Sequence, residues 1–161
     1  MEQFRKLDNV LNKILLSDKY LFAYTTTDGF TERLLGAELV VDYDFNYKLE
    51  LRAFDHVKKT KNNSDTIMES GVLPKKIMEY LENLLHSNYL SLKSNYDYET
   101  VFISGTGMQQ YLLNLEKTTT NIHITDGLPE EYFKTDTEKL LFNFNAFLKK
   151  YVEDKYNNWL I

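Results

Sequence analysis

The chain has no cysteine among its 161 residues. A disulfide scaffold and thiolate-rich metal sites are thereby excluded, and a reducing cytoplasm is the expected compartment. Basic charge is scarce: 19 Lys and Arg stand against 24 Asp and Glu, for a net charge of −5 and a pI near 5.2. Phosphate backbones are gripped by clustered Lys and Arg, so a nucleic-acid binder is not expected. No apolar run approaches the roughly 18 residues that mark a membrane helix. Residues 1–19 interleave acids and bases without an apolar core or a small-residue cleavage site, so neither a membrane span nor a secretion signal is expected.

What remains is rich in rings, with 12 Tyr and 10 Phe against one Trp, and 43% of the chain is apolar. That is enough for one globular domain over residues 1–161 with a sizeable core. The clearest pattern lies in residues 38–53. Every odd position from 39 to 53 is apolar or aromatic, and every even one from 38 to 52 except Val40 is polar. Strict alternation marks a pleated surface with one buried and one wet face. The run is too long for one strand and carries the turn-forming Asp44-Phe45-Asn46, so it predicts a hairpin with an odd-numbered loop. Charge pairing favours the register in which residue numbers sum to 90, setting Asp42 against Lys48 and Glu38 against Arg52. Gly36 is a candidate bulge just before it.

Helical spacing of Phe4, Leu7, Val10, Leu11, Ile14 and Leu15 predicts a first helix over 2–16, followed by a short strand over 20–24. The polar stretch 58–65 is expected to be an exposed loop. Pro74 suits a first helical turn, and Ile77, Tyr80, Leu81, Leu84 and Leu85 form one stripe behind it. Residues 89–93 read as extended and 95–97 as a loop. Strands are expected over 100–104, 108–115 and 118–125. Thr135 and Glu138 fit the S/T-x-x-E capping box, and the stripe Leu140, Leu141, Phe144, Phe147, Leu148, Tyr151, Val152 predicts a long helix over 136–157, with residues 159–161 docking its end. The expected architecture is α+β: a mainly antiparallel sheet covered by helices, in the order α-βββ-α-βββ-α.

Chemistry-bearing residues are few. His123-Ile124-Thr125 resembles the H-x-T strand motif of the 2H phosphoesterases, in which an imidazole and a hydroxyl project together toward a phosphate. That resemblance implies a facing second motif, for which His56-Val57-Lys58 is the candidate, with Lys58 in place of the hydroxyl residue. His86 falls at the end of the middle helix, where a cation suits the dipole. Residues 104–107, Ser-Gly-Thr-Gly, lack the phosphate-loop pattern and read as a strand-to-strand turn. No metal or cofactor motif is present.

An acidic and aromatic surface stands out more. Glu38, Asp42, Asp44 and Glu50 belong to the hairpin, with Asp28 and Glu32 close in sequence, and Tyr96, Asp97 and Tyr98 repeat the theme. Acidic groups steer basic partners, and Tyr gives contact area at low entropic cost. In size, acidity and lack of cysteine the chain resembles bacterial and phage immunity proteins and other stoichiometric inhibitors. That implies a protein partner with a basic surface, bound without catalysis; the alternatives are small-ligand or phosphoester binding or hydrolysis through His123, Thr125 and His56, and a homo-oligomer burying exposed rings.

Overall fold

β3, Tyr20–Thr27, is the strand on which the sheet is assembled. The computed structural model describes residues 5–8, 13–27, 34–55, 60–98, 107–115 and 118–159. On one side of β3 lies the antiparallel meander β4 (Leu34–Asp42), β5 (Asn46–Asp55) and β6 (Thr60–Val72). On the other lie β8 (Met108–Leu115) and β9 (Thr118–Thr125), edged by the two-residue β7 (Asn95–Tyr96), which runs parallel to β9. The order across this sheet is β6-β5-β4-β3-β8-β9-β7. α1, Lys75–Leu85, and the long α2, Asp136–Trp159, complete an α+β fold. No described helix is long and apolar enough to cross a membrane.

Alternation decides which face the helices cover. Phe22, Tyr24, Leu39, Val41, Leu49, Leu51, Tyr111, Leu113, Ile122 and Ile124 form one buried cluster with Ile77, Leu81 and Leu84 of α1 and Leu141, Phe144, Leu148 and Val152 of α2. Both helical stripes follow the prediction, except that Leu140 is not among the residues packed into this cluster. α1 follows Pro74, and α2 carries the full capping box: Thr135 Oγ1 accepts from the Glu138 N–H at 3.1 Å, and Glu138 Oε1 accepts from the Thr135 N–H at 3.0 Å. Burial raises the Glu138 carboxyl, but these backbone donors and the Tyr96 hydroxyl outweigh it and hold the group below its usual range. At Asp126, burial likewise opposes and is outweighed by Lys149 and Gln109. Both carboxyls titrate lower folded than unfolded, so their stabilisation is complete above the ordinary pKa of about 4 and fades as pH falls through the folded values. Urea titrations at stepped pH are expected to show stability falling below about pH 4, with a shallower fall in Glu138→Gln and Asp126→Asn. Parallel pH profiles in all three proteins would contradict this account.

Four expectations are corrected. The β4–β5 register sums to 88: Leu39 faces Leu49, Val41 faces Tyr47, and Glu38 faces Glu50. The loop is odd as expected, but it is Tyr43-Asp44-Phe45, and its chemistry overrules the charge pairing. Asp42 Oδ1 accepts from the N–H groups of both Asp44 and Asn46 at 2.9 Å, Phe45 N–H donates to the Asp42 carbonyl at 3.1 Å, and Phe45 takes φ +61°. A turn closed this tightly sets the register of every pair behind it. The bulge at Gly36 is present, as a register shift between Leu34 and Gly36.

The predicted N-terminal helix is instead a pair of antiparallel strands, β1 (Arg5–Asp8) and β2 (Lys13–Leu16). Distant side chains hold β2 extended. Asn121 accepts from the Ile14 N–H at 3.3 Å and donates to its carbonyl at 2.9 Å, while Thr119 Oγ1 accepts from the Leu16 N–H at 3.2 Å. Ile14 and Leu16 then bury against Leu112, Ala23 and Val40 on the sheet face away from the helices. Third, residues 60–65 of the expected loop belong to β6, whose polar composition suits an edge. Fourth, residues 89–91 form a 3-10 turn, and Asn95 and Tyr96 form β7. The expected strand at 100–104, the glycine turn at 105–106 and residues 160–161 lie outside the described residues.

Candidate functional site

The face turned away from the helices divides into two halves. β2 covers the apolar half. The other half is polar, and the register assembles it into two cross-strand rows. One row runs Glu50, Glu38, Thr25, Gln110, His123, Asn95; the next runs Arg52, Gly36, Thr27, Met108, Thr125. Asp97, two residues beyond Asn95, closes the second row: the Thr125 hydroxyl donates to Asp97 Oδ1.

The acidic end centres on Glu38 and Glu50, which stand directly opposite one another. Like charges so placed cost a few tenths of a kcal/mol. Arg52 Nη2, 3.8 Å from Glu50 Oε1, offsets part of that, and the Glu50 side chain is only 13% exposed. Gly36 carries no side chain between Arg52 and Thr27, and the absence opens a concavity of about 180 Å³ lined by residues 25–27, 36–38, 50 and 52. Drug-sized ligands occupy roughly 300–1,000 Å³. The space fits one protruding side chain better than a cofactor. A Cβ at Gly36 would come within 3.2 Å of the Thr26 carbonyl oxygen, so the bulge and the concavity depend on the same glycine.

The histidine end is less suited to a phosphate than the H-x-T spacing implied. His123 and Thr125 do share a face. His123 Nε2 lies 3.4 Å from Gln110 Nε2, an approach in which the amide donates to an unprotonated ring nitrogen. Burial pushes the His123 pKa down, more than the Asp97 carboxylate lifts it, so the ring is mainly neutral near pH 7. Thr125 has one O–H, and Asp97 takes it; the same carboxylate would repel an incoming phosphate. His56 and Lys58 lie outside the described residues. Asp55, which ends β5, belongs to a strand separated from β9 by β4, β3 and β8, about 19 Å across a flat sheet at roughly 4.8 Å per strand.

The remaining predicted site residues are dispersed. Asp42 is engaged by the turn amides, and Asp44 is exposed at the hairpin tip, on the far side of the covered half. Tyr96 is a core residue: it is 3% exposed, stacks on Phe133 at 4.9 Å and 14°, and its hydroxyl accepts from the Lys93 N–H. Tyr98 is half-buried, with its hydroxyl donating to the Gly127 carbonyl at 3.1 Å. His86 occupies the C-cap position of α1. Asp28 and Glu32 lie outside the described residues.

Arg52, Thr25 and Gln110 were not singled out from the sequence. Alternation puts Arg52 on the wet face of its strand, and Gln110 lies 7% exposed on β8, but nothing local joins β5 to β8. Among the described residues, no group of three or more His, Asp or Glu side chains is placed to hold a metal ion. Comparison with known proteins adds no assignment: no family model matches the chain, and no curated protein matches it.

Proposed function

We propose that the chain is a protein-binding module, a stoichiometric inhibitor of the immunity type, that occludes a basic partner surface with the polar half of its sheet. The observation that carries this is the opposition of Glu38 and Glu50 beside the small concavity that Gly36 opens. Two carboxylates opposed on one sheet face form a natural seat for a partner's Lys or Arg. An incoming cation gains charge-assisted hydrogen bonds from both and relieves their mutual repulsion. Asp97 extends the negative potential along the same face, while the neutral His123 adds a hydrogen-bonding group without opposing charge. The phosphoester reading has less support, because Asp97 engages Thr125.

The test is affinity capture of the tagged chain from its native host, followed by association kinetics at several salt concentrations. One partner at 1:1 stoichiometry is expected, with an on-rate that falls as salt rises. Glu38→Gln/Glu50→Gln is expected to slow association at least tenfold and flatten the salt dependence, whereas Asp44→Asn at the hairpin tip leaves both near the parent values. Equal on-rates in the parent and the double variant would overturn the assignment of this face.

A further inference from the structure

β6 is 13 residues long and ends the sheet: β5 pairs with one side of it, and no described strand with the other. One hydrogen bond orients its open edge. The Leu73 N–H donates to the Phe45 carbonyl at 2.8 Å, in line with the pairs Asn46–Val72 and Tyr47–Gly71. In an antiparallel ladder, alternate residues direct their N–H and C=O groups toward the same neighbour. Residues 67, 69 and 71 therefore bond to β5, and Thr66, Met68, Ser70 and Val72 point their backbone groups outward. Edges are ordinarily blunted by proline, lysine or a bulge. Residues 66–72 contain no proline or lysine, and the register irregularity of β5–β6 lies beyond them, between Phe54 and Asp55. The one charge in this stretch, Glu69, is paired with Lys155 of α2 at 2.9 Å. Met68 and Val72 are 56% and 76% exposed.

We propose that β6 pairs antiparallel with β6 of a second copy of this chain, joining two seven-stranded sheets into one, with the two-fold axis passing through Met68. No covalent turn fixes the register here, unlike in β4–β5, so side-chain opposition decides it. An axis at Met68 sets Met68 against its copy, Glu69 against Ile67 and Ser70 against Thr66. Moving the axis to Ile67 opposes Asp65 to Glu69, and moving it to Glu69 opposes that carboxylate to itself; both are disfavoured. The second copy is the fitting occupant because the edge is self-complementary about Met68 and its one charge is already matched by Lys155. A basic partner has its carboxylates on the polar sheet face instead.

Light scattering across a dilution series from about 1 mM to about 10 μM, the range of weak association, tests this. The mass of the unmodified chain is expected to rise from 19.1 kDa toward twice that value with concentration. Ser70→Pro removes an outward N–H without taking a bond from β5, and Met68→Lys places a charge on the axis. Each is expected to weaken association at least tenfold while leaving the far-ultraviolet spectrum and melting temperature near the parent values. Hydrogen exchange on the unmodified chain gives a second reading: the Met68 and Ser70 amides should exchange at least tenfold more slowly at the concentrated end. A chain that stays monomeric throughout overturns the proposal, as does a dimer undiminished in both variants or exchange at these amides that ignores concentration.

Discussion

Phe144→Ala is expected to lower stability by about 3–5 kcal/mol, the range for removing a fully buried ring. Phe144 is inaccessible to solvent and is where three elements meet. Its ring lies 5.7 Å from Phe22 of β3 at 22°, 5.5 Å from Tyr80 of α1 at 5°, and 5.9 Å from Tyr111 of β8 at 60°. Truncation leaves a void between the central strands and both helices at once, so no single element can shift to fill it without leaving another. At about 2–4 °C per kcal/mol for a chain of this size, the melting temperature should drop by roughly 6–20 °C. Phe147→Ala is the matched control. Its half-buried ring contacts Tyr80 at 5.1 Å, and a loss on the order of 1–2 kcal/mol is expected. Thermal and urea unfolding of the two variants checks the ordering. Equal losses would mean that the ring cluster is not the keystone its geometry implies.

Phe144 was legible because α2 is a local object. Its cap is a four-residue signal, its stripe repeats every three to four residues, and neither depends on what lies opposite. The same holds for Pro74 before α1 and for the alternation of β4 and β5. Legibility stopped where a distant partner decides. Ile14 and Leu15 fit a helical stripe, but Asn121 and Thr119 bind the backbone at Ile14 and Leu16 from more than a hundred residues away, and no window over 2–16 contains them. Register failed for a different reason. Charge pairing sets Asp42 against Lys48, whereas the structure uses its carboxylate as an acceptor for two turn amides. A carboxylate has two such roles in a hairpin, and amides fixed in space by a tight turn outrank a solvent-screened charge pair.

The candidate site shows the same division. Glu38 and Glu50 belong to one hairpin, and the sequence placed them together on its wet face. Tyr96, Asp97 and Tyr98 are adjacent in sequence yet go three ways: into the core, onto Thr125, and onto the Gly127 carbonyl. An alternating chain cannot present three consecutive side chains to one partner. Bringing Glu38 within a row of Gln110 and His123 requires β8 to pair with β3 across some eighty intervening residues, and that choice of neighbour is recorded in no local pattern.

Asn145→Ala is expected to cost about 3 kcal/mol, because it strands two buried groups at roughly 1–3 kcal/mol each before any relaxation. Asn145 is 8% exposed on α2. Its Oδ1 accepts from the Tyr111 hydroxyl at 2.8 Å, and its Nδ2 donates to Gln109 Oε1 at 3.2 Å. Gln109 Nε2 in turn donates to Asp126 Oδ1 at 3.0 Å, and Lys149 Nζ reaches the same oxygen at 2.5 Å. The network thus runs from a tyrosine in the core to an ion pair at the surface, and Asn145 is its only link between Tyr111 and Gln109 among the hydrogen bonds described. In an Asn145→Ala background, Tyr111→Phe should cost less than it does alone, since the hydroxyl it removes has already lost its partner. A coupling of about 1 kcal/mol in the double-mutant cycle is expected, and strict additivity would deny that the groups act as a unit. The consequence extends through the sheet. Gln109 faces the helices and Gln110, the next residue, faces the polar rows beside His123, so the same strand that Asn145 anchors also sets the position of the proposed binding face. Asn145→Ala should therefore shift the His123 ring resonances, although no atom of Asn145 lies on that face. Phe147→Ala, which leaves the Gln109 anchor intact, should leave those resonances in place.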